Sequence, residues 1–252
     1  MQWISRLTRA LEEDRFCLYC QPIVPFKETG TQKIEILLRL KEENGELVGP
    51  FDFIPAAERY NLMPAIDRWV IREAIKFQKE LNDTQGKSEV FCINLSGASV
   101  ADESLLLFIK EKIEEHGVNP ANFCLEITET SAIENLSHAI GFMKGLKEIG
   151  CTFALDDFGN GFSSFAYLKN LPFDYLKIDG SFVKDIEKDP IDLAMVEAVN
   201  KIGHIMGMKT IAEYVKDSFI IEKLKEIGED YGQGYELAMP GPIRDFFKVK
   251  IT

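Results

Sequence analysis

Short apolar runs rich in β-branched and aromatic residues recur along the chain, and between them lie longer stretches whose apolar residues return every three or four positions. The first kind predicts strands near 16–24, 33–40, 89–95, 122–127, 151–156, 174–178, 209–213 and 230–235. The second kind predicts helices. Residues 99–116 place Leu105, Phe108, Ile109 and Ile113 at helical spacing, and 189–207 does the same with Leu193, Val196, Val199, Ile202 and Met206. Eight strands with helices interleaved from the second onward predict an α/β fold, a TIM-type (β/α)8 barrel. Only PFKETGTQ separates the first two strands, too little for a parallel crossover. The first strand is therefore expected to run antiparallel and the barrel to be irregular. No linker rich in Gly, Ser or Pro interrupts the alternation, so residues 1–252 are read as one domain.

Polar residues fall late in these apolar strands. Asn94 closes VFCINL, Glu126 closes FCLEIT, Asp156 closes CTFALDD, Lys177 sits in YLKID, Glu213 closes KTIAE, and Gln233 lies in YGQGY. In barrels of this kind the carboxyl ends of the strands carry the active site. Strand parity agrees, since Cys92 with Asn94, Cys124 with Glu126, Ala154 with Asp156 and Ile211 with Glu213 would share the inward face. On the second strand Glu35, Leu37 and Arg39 share a face, which puts an acid within the barrel and a cation nearer its mouth. Asp156 and Asp157 are adjacent. At an effective dielectric near 20, two unit charges about 4 Å apart repel by roughly 4 kcal/mol, so the pair must share a proton, stay solvated or hold a cation. Gly159 and Gly161 let the chain turn sharply after them, and Ser163 or Ser164 can cap the next helix.

Composition narrows the chemistry. The net charge of −12 argues against nucleic-acid polymers and anionic membranes as partners, because both need basic footprints. No apolar run reaches the roughly 18 residues of a membrane span, and the acidic start MQWISRLTRALEEDRF does not read as a signal peptide. The domain is expected to be cytoplasmic. Its start within a helical stretch fits the carboxy-terminal piece of a longer sensor. Five cysteines fit a reducing compartment, and the CxxC of Cys17 and Cys20 reads as structural because strand geometry points the two to opposite faces. A rim of carboxylates and an amide, with His116, His138 and His204 all on predicted helices, favours hard divalent cations, Mg²⁺ or Mn²⁺, over zinc or copper. The adjacent acids make a two-ion site reasonable.

The segments CQPIV, KIEILLRL, FIPAAE, FCINLSG, LEITET, ALDDFGNGFSS, LKID, TIAEYV and QGY, in this order over nearly the whole chain, resemble the EAL-domain cyclic-di-GMP phosphodiesterases. The resemblance implies an irregular (β/α)8 barrel that binds cyclic di-GMP and, with two Mg²⁺ or Mn²⁺ ions, hydrolyses one phosphodiester bond to give linear pGpG. It implies metal ligation by Glu35, Asn94, Glu126, Asp156, Asp157 and Glu213, with Glu35, Asp157, Glu213 and Lys177 taking part in catalysis. Gln21, Arg39 and Gln233 would contact the ligand. Glu129 would steady the loop after the acid pair, which in the family couples the metal site to a homodimer interface. Calcium is expected to bind without supporting hydrolysis. Two positions depart from the family pattern. Lys216 replaces a second glutamate, and it either pairs with Glu213 and competes with a metal or points outward. Leu40 replaces an aromatic residue, which would weaken stacking on a guanine. Lys216 is also the main argument for an alternative, a receptor of the same fold that binds cyclic di-GMP without cutting it. A Schiff-base aldolase built on Lys177 would require a lysine of lowered pKa.

Overall fold

The structure, a computed structural model, describes residues 2–27, 32–86, 89–134, 136–159 and 168–248. Among the described residues ten strands form one sheet: β1 (Phe16–Pro25), β2 (Lys33–Lys41), β3 (Leu47–Val48), β4 (Val90–Leu95), β5 (Phe123–Thr128), β6 (Thr152–Phe158), β7 (Tyr175–Ile178), β8 (Lys209–Ala212), β9 (Tyr231–Gly232) and β10 (Gly241–Pro242). Their order is β10-β1-β9-β8-β7-β6-β5-β4-β2-β3, and a further pairing of β1 with β2 closes eight of them into a barrel. β1 runs antiparallel to both its barrel neighbours, meeting β2 from Phe16↔Leu40 to Ile23↔Lys33 and β9 at Val24↔Gly232. The other pairings around the barrel are parallel. The irregular barrel expected from the short first connection is therefore present.

All eight predicted strands appear, with ends shifted by a few residues at most. The helix expected over 99–116 is divided instead. Residues Gly97–Val100 form one short turn and Glu103–His116 the main helix, because the Asp102 carboxylate accepts from Ser104 N and starts the second helix anew. The helix expected over 189–207 spans Pro190–Ile205, capped by the Asp189 side chain at Ile191 N. The loop residues Gly161, Ser163 and Ser164 lie outside the described residues.

Alternation along the strands sorts the side chains into two cores. Ile23, Cys92, Cys124, Ala154, Ile211 and Tyr231 fill the barrel interior. Outward-facing residues such as Ile34, Ile36, Phe91, Ile93, Phe153 and Leu176 pack under the surrounding helices, and each large side chain so buried contributes about 1.5–3 kcal/mol. Leu40 belongs to this outer core at 0 % exposure, so its replacement of an aromatic cannot alter stacking on a ligand at the mouth. The five cysteines are free; Cys17 is half-buried and Cys20 buried, as opposite strand faces require.

The amino-terminal end of the barrel is closed by polar groups with structural roles. Lys33 Nζ lies 4.3 Å from the centre of the Tyr175 ring. His204 Nε2 is 2.8 Å from Asp230 Oδ2, which also accepts from Thr210 N. Beside them Glu229 is 1 % exposed. Burial, then Asp230, raises its pKa to about 8 against a pull from Thr210. An acid raised in the folded state stabilises fully below its unfolded pKa of about 4.5, and that contribution is lost as pH climbs through about 8. At about 1.4 kcal/mol per unit the loss is on the order of 3–5 kcal/mol. Glu229→Gln should accordingly lessen the fall in unfolding free energy between pH 5 and pH 9, read by urea denaturation. Parallel pH slopes for the two proteins would exclude Glu229 as the source.

Candidate functional site

Five neighbouring parallel strands, β4 to β8, deliver polar residues to the mouth. Asn94 on β4 is in register with Glu126 on β5, and Thr128, two residues further on, with Asp156 on β6. Lys177 is the third residue of β7, and Glu213 follows β8 directly. Glu35 starts lower, level with Gln21 on β1 and Cys92 on β4, and its longer side chain reaches up to the rim. Strict alternation would aim Asp156 and Asp157 at opposite faces. A register irregularity between Leu155 and Phe158, together with a left-handed φ of 55° at Asp157, keeps both carboxylates at the mouth.

Lys177 is the centre of the site. Its ammonium is 1 % exposed and lies 2.7 Å from Glu126 Oε2, 2.8 Å from Glu213 Oε1, 2.9 Å from Asp156 Oδ1 and 4.0 Å from Glu35 Oε1. Glu35 accepts from Asn94 Nδ2 at 2.7 Å and, on its other oxygen, from Gln233 Nε2. Gln233 Nε2 also donates to Gln21 Oε1 at 3.2 Å, and Gln21 Nε2 donates to Ala238 O at 3.0 Å. The two glutamines thus tie β1 to β9 across the point of closure.

Burial by itself works to discharge Lys177, but Asp156, Glu126 and Glu213 outweigh it and hold the lysine well above its usual pKa. Burial pushes Glu126 up, with Lys177 opposing. It raises Glu213 to about 8, again against Lys177, and it raises Asp157 with help from Asp156. A lysine held charged by three carboxylates is the opposite of what an aldolase needs, so that reading has no support.

One ammonium faces five carboxyls here, and the remaining negative charge calls for a cation. The residues fit a hard divalent ion. Ligand atoms of Asp156, Asp157 and Glu213 come within 4.8 Å of one another, and the described residues hold no other such group of three. Among the described residues, Glu126 Oε1 and Gln233 Oε1 are buried without a hydrogen-bond partner, a cost of about 1–3 kcal/mol each unless a ligand or ion satisfies them. Every donor is an oxygen or an amide, as Mg²⁺ and Mn²⁺ prefer.

The other expected residues fall as follows. Arg39 stays apart from the carboxylates, its guanidinium 5.2 Å from the Tyr19 ring and donating to Leu38 O at 2.8 Å. Glu129 is buried at the start of the helix Glu129–Glu134, and the loop it is expected to steady runs into 160–167, outside the described residues. Lys216 does not pair with Glu213; its ammonium lies 3.7 Å from Asp185 Oδ1, and the residue lines the same cavity as Glu213.

Some contributors had no strong signal in the sequence. Asp67, 4 % exposed on the helix Met63–Gln85, accepts from Ser96 N and from the hydroxyls of Ser96 and Ser99, and so fixes the turn that follows Asn94. An acid between Ile66 and Trp69 on an apolar helix face was the available clue. Phe51 is 94 % exposed and lies between two cavities that flank the carboxylates. One, of about 650 Å³, is lined by Glu35, Glu213 and Gln233, and the other, of about 480 Å³, by Asn94, Asp156 and Asp157.

Fold and site together define a closed, irregular β/α barrel whose mouth is an oxygen-donor cluster between two ligand-sized cavities. Residues 4–240 match the profile of the EAL domain, and the chain belongs to that family. It is 39 % identical over 246 residues to the cyclic di-GMP phosphodiesterase PdeB of Shewanella oneidensis, covering 97 % of this chain and 29 % of that protein. It is 37 % identical over 242 residues to the cyclic di-GMP phosphodiesterase PdeF of Escherichia coli K12, covering 96 % and 32 %. The chain thus spans about a third of the length of these curated relatives. Among solved structures, the FimX EAL domain of Pseudomonas aeruginosa bound to c-di-GMP superposes with a TM-score of 0.90 at 30 % identity, covering 98 % of this chain and 99 % of that one. The c-di-GMP complex of the PaMucR phosphodiesterase gives 0.90 at 31 % identity, covering 98 % and 100 %.

Proposed function

We propose that this chain is a cyclic di-GMP phosphodiesterase that opens the cyclic dinucleotide to linear pGpG with two Mg²⁺ or Mn²⁺ ions. The observation that carries the reading is the convergence of Glu126, Asp156 and Glu213, from three strands, within 2.9 Å of the Lys177 ammonium. The two cavities on either side of them suit a ligand with two bases held apart by a ring of two phosphodiesters. Glu35, Asn94, Glu126, Asp156, Asp157 and Glu213 would hold the cations, which when bound activate water and offset charge on the phosphoryl oxygens. Lys177, kept protonated, orients the acids and adds a fixed positive charge next to the developing oxyanion. Glu35, Asp157 and Glu213 accept hydrogen bonds from the attacking water, and Gln21, Gln233 and Arg39 position the ligand at the rim.

Incubation of the purified domain with cyclic di-GMP and Mn²⁺ should yield pGpG, followed by ion-pair chromatography, with Ca²⁺ binding but giving no product. Tight binding without turnover in either Mg²⁺ or Mn²⁺ would convert the reading to a receptor module. Free cysteines and net acidity support a cytoplasmic setting. The homodimer is supported by Ile191, Met195 and Ile205, all exposed and all on one side of the helix Pro190–Ile205. A single monomeric boundary in sedimentation velocity at micromolar concentration would refute it.

A further inference from the structure

We propose that Tyr214 is a specificity residue, its ring the platform on which one base of the dinucleotide lies. This rests on the phosphodiesterase reading and goes beyond it by assigning the recognition of a base to a residue outside the oxygen-donor cluster.

The motive is a strained backbone next to the site. Tyr214 follows Glu213 with a φ of 58°, the left-handed region that aromatic residues rarely enter. Its neighbours pin the turn. Glu213 N donates to Ile178 O at 3.2 Å, and Val215 N donates to Gln233 O at 2.9 Å. Between these anchors the side chain is thrown over Gly180, where an added Cβ would stand 2.6 Å from Tyr214 Cβ. Gly180 therefore leaves the space that Tyr214 occupies.

Packing does not account for the arrangement. The Tyr214 side chain is 60 % exposed, and it lines the cavity of about 650 Å³ that also holds Glu35, Glu213 and Gln233. A glycine would satisfy this turn without strain and without exposing a ring. A flat base laid against the ring explains both the strain and the exposure, because stacking needs an uncovered aromatic face and tolerates any π-surface. The same cavity is lined by Lys216, whose 3.7 Å contact to Asp185 is long enough for a ligand phosphate to compete with it. Tyr214 and Lys216 thus offer a base-sized surface and a cation two residues apart.

The test is steady-state hydrolysis of cyclic di-GMP in Mn²⁺ by wild type, Tyr214→Phe, Tyr214→Gly and Tyr214→Asn. Glycine and asparagine both accept the left-handed turn, so the protein folds without the ring. The expected result is a KM raised about tenfold in both, with kcat within about twofold of wild type, and a wild-type KM in Tyr214→Phe. Unchanged KM in all three variants overturns the inference and leaves the phosphodiesterase reading intact. A fall in kcat at unchanged KM overturns it too, since Tyr214 would then be only a prop for Glu213. A wild-type protein that neither binds nor cuts cyclic di-GMP overturns the parent reading and this one with it.

Discussion

Glu35→Ala should abolish hydrolysis of cyclic di-GMP, lowering kcat by at least about a thousandfold, in the range expected when one member of a preorganised charge cluster is removed. The side chain does three things at once. It receives the Asn94 amide, it receives the Gln233 amide, and it sits 4.0 Å from the Lys177 ammonium. Alanine would leave both amides without an acceptor and take one carboxylate out of the cation site. Glu35 lies on β2 and Gln233 just past β9, so its loss also frees the end of the chain that closes the barrel. Turnover under saturating Mn²⁺ is the measurement, and a rate near wild type would remove Glu35 from the proposed catalytic set.

Lys177→Met should be the most destabilising single change at the mouth in the absence of divalent ions. It leaves Glu126, Asp156 and Glu213 facing one another with no ammonium, and removing one partner of a buried ion pair costs about 3–5 kcal/mol. For a chain of this size that is a fall in Tm of roughly 10 °C. The sign with pH follows from the acids. Glu126 and Glu213 are already pushed up by burial, and without Lys177 they rise further, so stability is fullest at low pH and is lost as pH rises through their folded values. The variant should therefore sit closest to wild type near pH 5 and furthest from it near pH 8. Added Mn²⁺ should restore much of the Tm, because a cation then does for the carboxylates what the ammonium did. Differential scanning calorimetry at both pH values, with EDTA and with Mn²⁺, checks this; a Tm unaffected by the substitution would show that the acids tolerate one another unaided.

The barrel was legible because each strand carries its own local signal, while the elements that were missed carry none. The ladders Leu47–Val48 and Gly241–Pro242 are two residues long and have no periodicity to read. The break at Asp102 was legible in principle as a cap, but the apolar pattern continues through it and won the reading. At the site, parity placed Asn94, Glu126, Asp156 and Glu213 on the inward face, and that is where they lie. Parity could not place Asp157, whose presence at the mouth depends on a left-handed backbone that the residue type does not demand. Nor could it rank contacts. Lys177 reads as one polar residue among several, and only the three-dimensional arrangement makes it the common partner of three acids. Leu40 shows the reverse error: its neighbours in the motif suggested a ligand contact, although its even spacing from Ile34 and Ile36 marks the helix-facing side of β2.

The antiparallel β1 has a further consequence for how the molecule comes into being. Its partners within the barrel are β2, made almost at once, and β9, made some 200 residues later. Loops that long are slow to close. A chain emerging from the ribosome can stack its strands outward from β2, yet the glutamine bridge from Gln21 to Gln233 has to wait until β9 has been made. Until then the mouth is an open trough rather than a cup, and the carboxylates around Lys177 stand at an unclosed rim.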